Sequence, residues 1–125
     1  MTRKELENYI AEKYHTDGDM PWEGETHEVF RHAENKKWFA LVMNIPKVKL
    51  GLKESGNFDI LNVKCDTLMI GSFLGEKGFF PAYHMNKNNW ITMALDGSAD
   101  GEKIRLLLDM SYDMTAPAAK RKTKK

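Results

Sequence analysis

Apolar residues first recur at three- and four-residue intervals: Leu6, Tyr9, Ile10 and Tyr14 share one face of a helix predicted over about residues 2–14, the spacing of an amphipathic helix. Thr2 with Glu5 three positions on has the pattern of a capping box, and Asp17-Gly18-Asp19 before Pro21 ends the helix. The period then shortens to two. Residues 26–33 suit a strand that stops before a turn at Asn35, residues 37–45 suit a second, and Asn35-Lys36 joins them as a hairpin. In the second strand Trp38, Ala40 and Val42 face one way and Phe39, Leu41 and Met43 the other. Being apolar on both sides, it should be central.

After Pro46 the pattern breaks at Gly51 and at Glu54-Ser55-Gly56-Asn57, which predicts an irregular excursion. A third strand follows over about residues 58–65, with Ile60, Asn62 and Lys64 on a polar face and Leu61, Val63 and Cys65 on a buried one. Asp66 is placed to cap a short helix through Leu74, closed by Gly75, and a hairpin built from residues 81–86 and 89–95 comes next. Asp96-Gly97 turns the chain into a last helix from Asp100 to Met114, with Ile104, Leu107, Leu108 and Tyr112 on one stripe, and Pro117 stops it. These elements predict an α+β, two-layer arrangement: an antiparallel sheet flanked by N- and C-terminal helices. The domain takes residues 1–117 and leaves 118–125 as a disordered basic tail.

Length and composition add bounds. A chain of 125 residues and 14.4 kDa fits one domain able to bury about two thirds of its unfolded surface. Its longest apolar run, Trp38 to Met43, is far short of the ~20 residues that span a bilayer. The first residues are charged where a signal peptide would be apolar, and Cys65 is the only cysteine. Both features lead us to expect a cytoplasmic protein without membrane partners.

The net charge of +1 conceals a segregation. Up to Ala119 the chain has 14 basic and 18 acidic side chains, a balance of −4, and Lys120, Arg121, Lys122, Lys124 and Lys125 reverse it. Within the body, residues 1–34 carry −5, residues 36–87 carry +4 and residues 88–119 carry −3. The basic middle also holds the densest mixture of chemistry, Phe79-Phe80-Pro81-Ala82-Tyr83-His84-Met85-Asn86-Lys87, followed by Asn88-Asn89-Trp90. Phosphate recognition needs Lys or Arg on one face, with aromatic or amide groups nearby to stack on bases or bond their edges. Lys64, His84, Asn86, Lys87 and Trp90 offer that mixture, and Lys120, Arg121 and Lys122 can add phosphate contacts. On a strand, His84 and Asn86 would share one face, opposite Tyr83 and Met85, with Lys87 and Trp90 at or beside the turn. A structural reading of the same residues stands beside this one. Trp22, Trp38 and Trp90 serve equally as core or core-edge aromatics, Lys64 as a snorkelling surface lysine, and His84 and Asn86 as backbone-bonding residues that set the hairpin register.

Pro21-Trp22, Val29-Phe30, Lys37-Trp38-Phe39-Ala40, Leu61-Asn62-Val63-Lys64-Cys65-Asp66, Gly78 through Lys87 and Leu95-Asp96-Gly97 resemble the MmcQ/YjbR family in order and spacing across nearly the whole body. Thr67, where the family often has proline, and Asn89, where a basic or aromatic residue is common before the tryptophan, depart from it. The resemblance implies a fold similar to the bacterial frataxin-like (CyaY-like) proteins and a "double wing" arrangement likened to DNA-binding modules. Double-stranded DNA is therefore the expected partner. A protein-interaction or metal-binding role is the alternative, because the frataxin-like fold carries acidic side chains on its first helix; Glu5, Glu12, Asp17, Asp19 and Glu23 are the candidates here. No metal site or cofactor is assigned, since no zinc spacing or Gly-rich phosphate loop appears. Nor is an enzyme expected. Cys65, with Lys64 or His84 nearby to supply charge, would have to be a low-pKa thiolate, but it alternates with Leu61 and Val63 onto the apolar face.

Overall fold

The computed structural model describes residues 1–118. Helix α1 (Arg3–Tyr14) begins as its cap predicts: the Thr2 hydroxyl accepts from the Glu5 amide at 3.2 Å while the Glu5 carboxylate accepts from the Thr2 amide at 2.9 Å. Strands β1 (Glu28–Arg31) and β2 (Trp38–Pro46) form the first hairpin. A 3-10 turn at Lys47–Leu50 occupies part of the irregular excursion before β3 (Asn57–Lys64). The Asp66 carboxylate accepts from the Leu68 amide to start α2 (Thr67–Phe73). Strands β4 (Phe79–Pro81) and β5 (Trp90–Ala94) and helix α3 (Gly101–Thr115) complete the domain.

All strand pairs are antiparallel, in the order β1-β2-β3-β5-β4. One face of this sheet is covered by helices. Leu6 and Ile10 of α1, Ile70 and Phe73 of α2, and Ile104, Leu107 and Leu108 of α3 pack there against Phe30, Val42, Leu61, Val63, Ile91 and Met93. Burying side chains of this size removes apolar surface worth about 1.5–3 kcal/mol each, which is why the helical stripes point inward. Polar groups lock the layers in register. Buried Ser111 of α3 donates to the Phe39 carbonyl at 2.7 Å and accepts from the Lys64 amide at 3.0 Å. Asp109 accepts from Tyr9 at 3.0 Å, Lys13 at 2.8 Å and Tyr14, tying α3 to α1.

Three expectations are corrected. The first strand of the second hairpin is not residues 81–86 but Phe79–Pro81, and residues 82–89 form a loop. In β2 the alternation slips, because Phe30 pairs with Ala40 but Arg31 pairs with Trp38, a bulge that skips Phe39. Phe39 therefore joins Ala40 and Val42 beneath the helices, while Trp38 joins Leu41 and Met43 on the other side. Finally, the Ile60 and Asn62 face of β3 is not a polar solvent face, since both residues have 0% exposure.

Candidate functional site on the open face of the sheet

The second face of the sheet has its own apolar layer, Val29, Leu41, Met43, Ile45, Phe58, Ile60 and Ala94, covered by Trp38, Leu50, Leu52, Phe80, Tyr83 and Met85. Strands, a 3-10 turn and loops supply this cover, and none of these residues belongs to an α-helix. A sheet face roofed by loops leaves clefts, and here they converge on one segment.

That segment is the loop after β4, held down by buried polar groups. The Tyr83 amide donates to Thr92 Oγ1 at 2.8 Å, Thr92 Oγ1 donates to Asn62 Oδ1, and Asn62 Nδ2 donates to the Tyr83 carbonyl at 3.3 Å. Asn62 and Thr92 are register partners on β3 and β5, so adjacent strands bond both sides of one loop residue. The polar side chains that look out of place in the core are thereby satisfied. The clamp also explains the backbone beyond it: His84 has φ +59°, a left-handed conformation that ends the alternation and lays its ring on Tyr83, 4.0 Å between centroids and 10° between planes.

The stacked pair divides two grooves. A cleft of about 660 Å³ lies on one side, floored by Leu41, Met43 and Ile45 and walled by Trp22, Trp38, Tyr83 and His84. Trp22 and Trp38 meet edge to face at 5.9 Å and 85°. His27 packs against Trp22 at 6.1 Å, and its Nε2 is 2.8 Å from Glu25 at the cleft. The other groove, of about 370 Å³, is lined by Lys49, Phe80, Tyr83, His84 and Lys87. Phe80 also lines a third hollow of about 190 Å³ whose rim includes Lys47 and Lys77 together with Glu54 and Asp96. Four lysines thus surround Phe80.

These lysines are outside the ion pairs of the described residues, as are Lys4 and Arg105. Among the described residues, the ion pairs draw on Arg3, Lys13, Arg31 and Lys103, together with His27 when protonated. Lys36, Lys37, Lys47, Lys49, Lys53, Lys64, Lys77 and Lys87 have no carboxylate within ion-pair distance among those residues. Most of these lysines are exposed, whereas Lys47 is half-buried and lies over the Phe58 ring at 5.7 Å. Lys13 and Lys103, by contrast, are pushed above the usual lysine range by hydrogen bonds to Asp109 and Glu76.

The predicted residues fall into two pairs and a remainder. His84 and Lys87 line one groove. Lys64 and Trp90 are register partners at the ends of β3 and β5 and line neither of the grooves flanking Tyr83 and His84. Asn86 and His84 do not share a strand face, because the chain is not a strand there. Asn86 Oδ1 accepts from the Asn88 amide at 2.8 Å and its carbonyl from the Asn89 amide at 3.3 Å, so Asn86 shapes the turn. Lys120, Arg121 and Lys122, and the expected tail from residue 119 on, lie outside the described residues. Sequence reasoning missed Lys47, Lys49, Lys77 and Phe80 as one cluster, and Trp22 with Trp38 as one wall; the +4 balance of residues 36–87 was the available signal for the lysines.

Two of the alternative candidates have other partners. Glu5 is engaged in the α1 cap and Asp19 accepts from Arg31 at 2.9 Å. Among the described residues, no group of three or more His, Cys, Asp or Glu side chains is placed to hold a metal ion. Cys65 is 2% exposed, and burial, followed by the neighbouring Asp66 carboxylate, pushes its thiol up to about 11. No helix among the described residues is long and apolar enough to cross a membrane.

A five-stranded antiparallel open sheet with helices on one face and loop-roofed clefts on the other defines an α+β open-sheet domain. The model of the YjbR family matches residues 11–114, and the chain belongs to that family. The protein YyaQ of Bacillus subtilis is 36% identical over 116 residues, covering 92% of this chain and 98% of that protein. A crystal structure of a Pseudomonas syringae protein superposes with a TM-score of 0.90 at 38% identity, over 93% of this chain and 100% of that one. The Deinococcus radiodurans protein DR2400, with a DUF419 domain, shares the fold with a TM-score of 0.70 at 22% identity, over 97% of this chain and 83% of that one.

Proposed function

We propose that this YjbR-family protein is a non-enzymatic DNA-binding protein of the cytoplasm, holding the phosphate backbone of double-stranded DNA along the lysines around Phe80. The observation that carries this reading is the grouping of Lys47, Lys49, Lys77 and Lys87 about one aromatic residue, none of them in an ion pair among the described residues. Unpaired ammonium groups at a groove edge release counterions when they meet phosphates, a sequence-independent source of affinity. The acidic ends do not cancel this surface at physiological salt, where charge is screened over about 8 Å. His84 adds a hydrogen-bonding group to the same groove, and Lys64 with Trp90 extends the site to the paired ends of β3 and β5. Lys120, Arg121 and Lys122 supply further phosphate contacts.

Fluorescence anisotropy with labelled duplex DNA tests the reading at low and physiological salt. The full chain should bind, with log affinity falling against log salt by about 0.9 per phosphate contacted. A chain ending at Pro117 should keep part of that affinity. Loss of all binding on truncation assigns it to the terminal basic run alone, and absence of binding by the full chain at low salt removes the proposal.

A further inference from the structure

The two grooves beside Tyr83 and His84 differ in chemistry. The larger one has aromatic walls and an aliphatic floor, and no Lys or Arg among the described residues lines it. Its carboxylate, Glu25, sits against His27. The smaller one presents Lys49 and Lys87. The stacked Tyr83 and His84 line both grooves. A ligand that spans this divide must have a flat, weakly polar part joined at short range to an anionic part.

We propose that the aromatic groove takes an unpaired nucleobase while Lys49 and Lys87 hold phosphates of the same strand, so that single-stranded nucleic acid is the preferred ligand of the surface. This rests on the nucleic-acid reading given above and adds to it a single-stranded form, which the same lysines hold more tightly than a duplex. The indole planes of Trp22 and Trp38 stand at 85°. A flat ring stacking on one meets the edge of the other, which satisfies both contact geometries that aromatic systems favour. At about 660 Å³ the groove falls within the ~300–1,000 Å³ of small-molecule clefts, ample for one base. A duplex keeps its bases stacked inward and cannot enter it. Aromatic platforms beside a basic track are the general device for single strands, because every base offers a π-face whatever its sequence.

The test compares a labelled oligothymidylate, a duplex of equal length and an abasic oligomer with the same number of phosphates, using the full chain at low salt. Oligothymidylate should bind about tenfold more tightly than either control and quench tryptophan emission. Trp22 is 38% exposed on a loop, so Trp22→Ala should fold; it should lower oligothymidylate affinity about tenfold and leave duplex affinity unchanged. If the abasic oligomer matches oligothymidylate, or saturation leaves tryptophan emission unchanged, the base-binding groove is overturned while backbone binding stands. Failure of all three to bind overturns both.

Discussion

Tyr83 and Asn62 are joined across the open face by a hydrogen bond from the Asn62 amide to the Tyr83 carbonyl, 3.3 Å long, although 21 residues separate them in the chain. Asn62 is wholly buried, and Thr92 bonds the same residue from the next strand. Through this clamp the core determines where the stacked rings, and so the boundary between the grooves, are placed.

Replacing Asn62 with Leu leaves the Tyr83 carbonyl and Thr92 without their partner. The loss should destabilise the protein by about 1–3 kcal/mol. In hydrogen exchange, amides of residues 83–86 should lose protection well beyond the change seen in α3. Equal loss everywhere would show that the clamp serves the core alone.

Lys49 and Lys87 stand on one groove, and neither is in an ion pair among the described residues. Lys49→Ala with Lys87→Ala should therefore reduce the salt slope of DNA binding by about 2 and leave the thermal midpoint nearly unchanged. An unaltered slope would move the phosphate contacts elsewhere.

Glu28 makes stability depend on pH. Burial, followed by the nearby Glu7 carboxylate, pushes it from its ordinary 4.5 to about 7, against the opposing pull of Arg3 at 3.3 Å. Between those values the folded chain holds a proton that the unfolded chain has lost. Its contribution is thus fully present below about 4.5 and fades as pH rises through about 7. Urea midpoints should fall from about pH 5 to about pH 8, and Glu28→Gln should flatten the trend. A wild-type midpoint that rises across this interval would contradict the assignment.

Cys65 should be nearly inert. With its thiol buried and raised to about 11, iodoacetamide at neutral pH should modify it far more slowly than a free thiol, with normal reactivity returning on denaturation. Rapid labelling of the native protein would reopen nucleophilic chemistry at this residue.

The elements readable in the sequence are those specified locally. Thr2 with Glu5, Asp66 and Asp100 cap their helices through bonds spanning two or three residues, and a short window contains all the information. The apolar run of β2 likewise marked an interior strand. What escaped was set by distant partners. Residues 82–86 alternate like a strand, yet Asn62 and Thr92 bond them as a loop, and no local pattern records that choice. The bulge that sends Trp38 to the open face exists only in the pairing of β1 with β2. His84 and Lys87 were found because they lie in one dense segment; Lys47, Lys49 and Lys77 were not grouped with them because only the folded sheet brings separate segments around Phe80.

Because strand ends, a 3-10 turn and loops, and no α-helical residue, cover the open face, recognition and folding draw on largely separate sets of residues. Trp22, His84 and Lys87 are exposed on connections, above a sheet whose helices hold the opposite side together. Substitutions there can retune what the surface grips without repacking the interior. The framework is therefore suited to diversification, whether by natural drift among relatives or by randomising those positions in a library, with Asn62 and Thr92 kept fixed as the foundation.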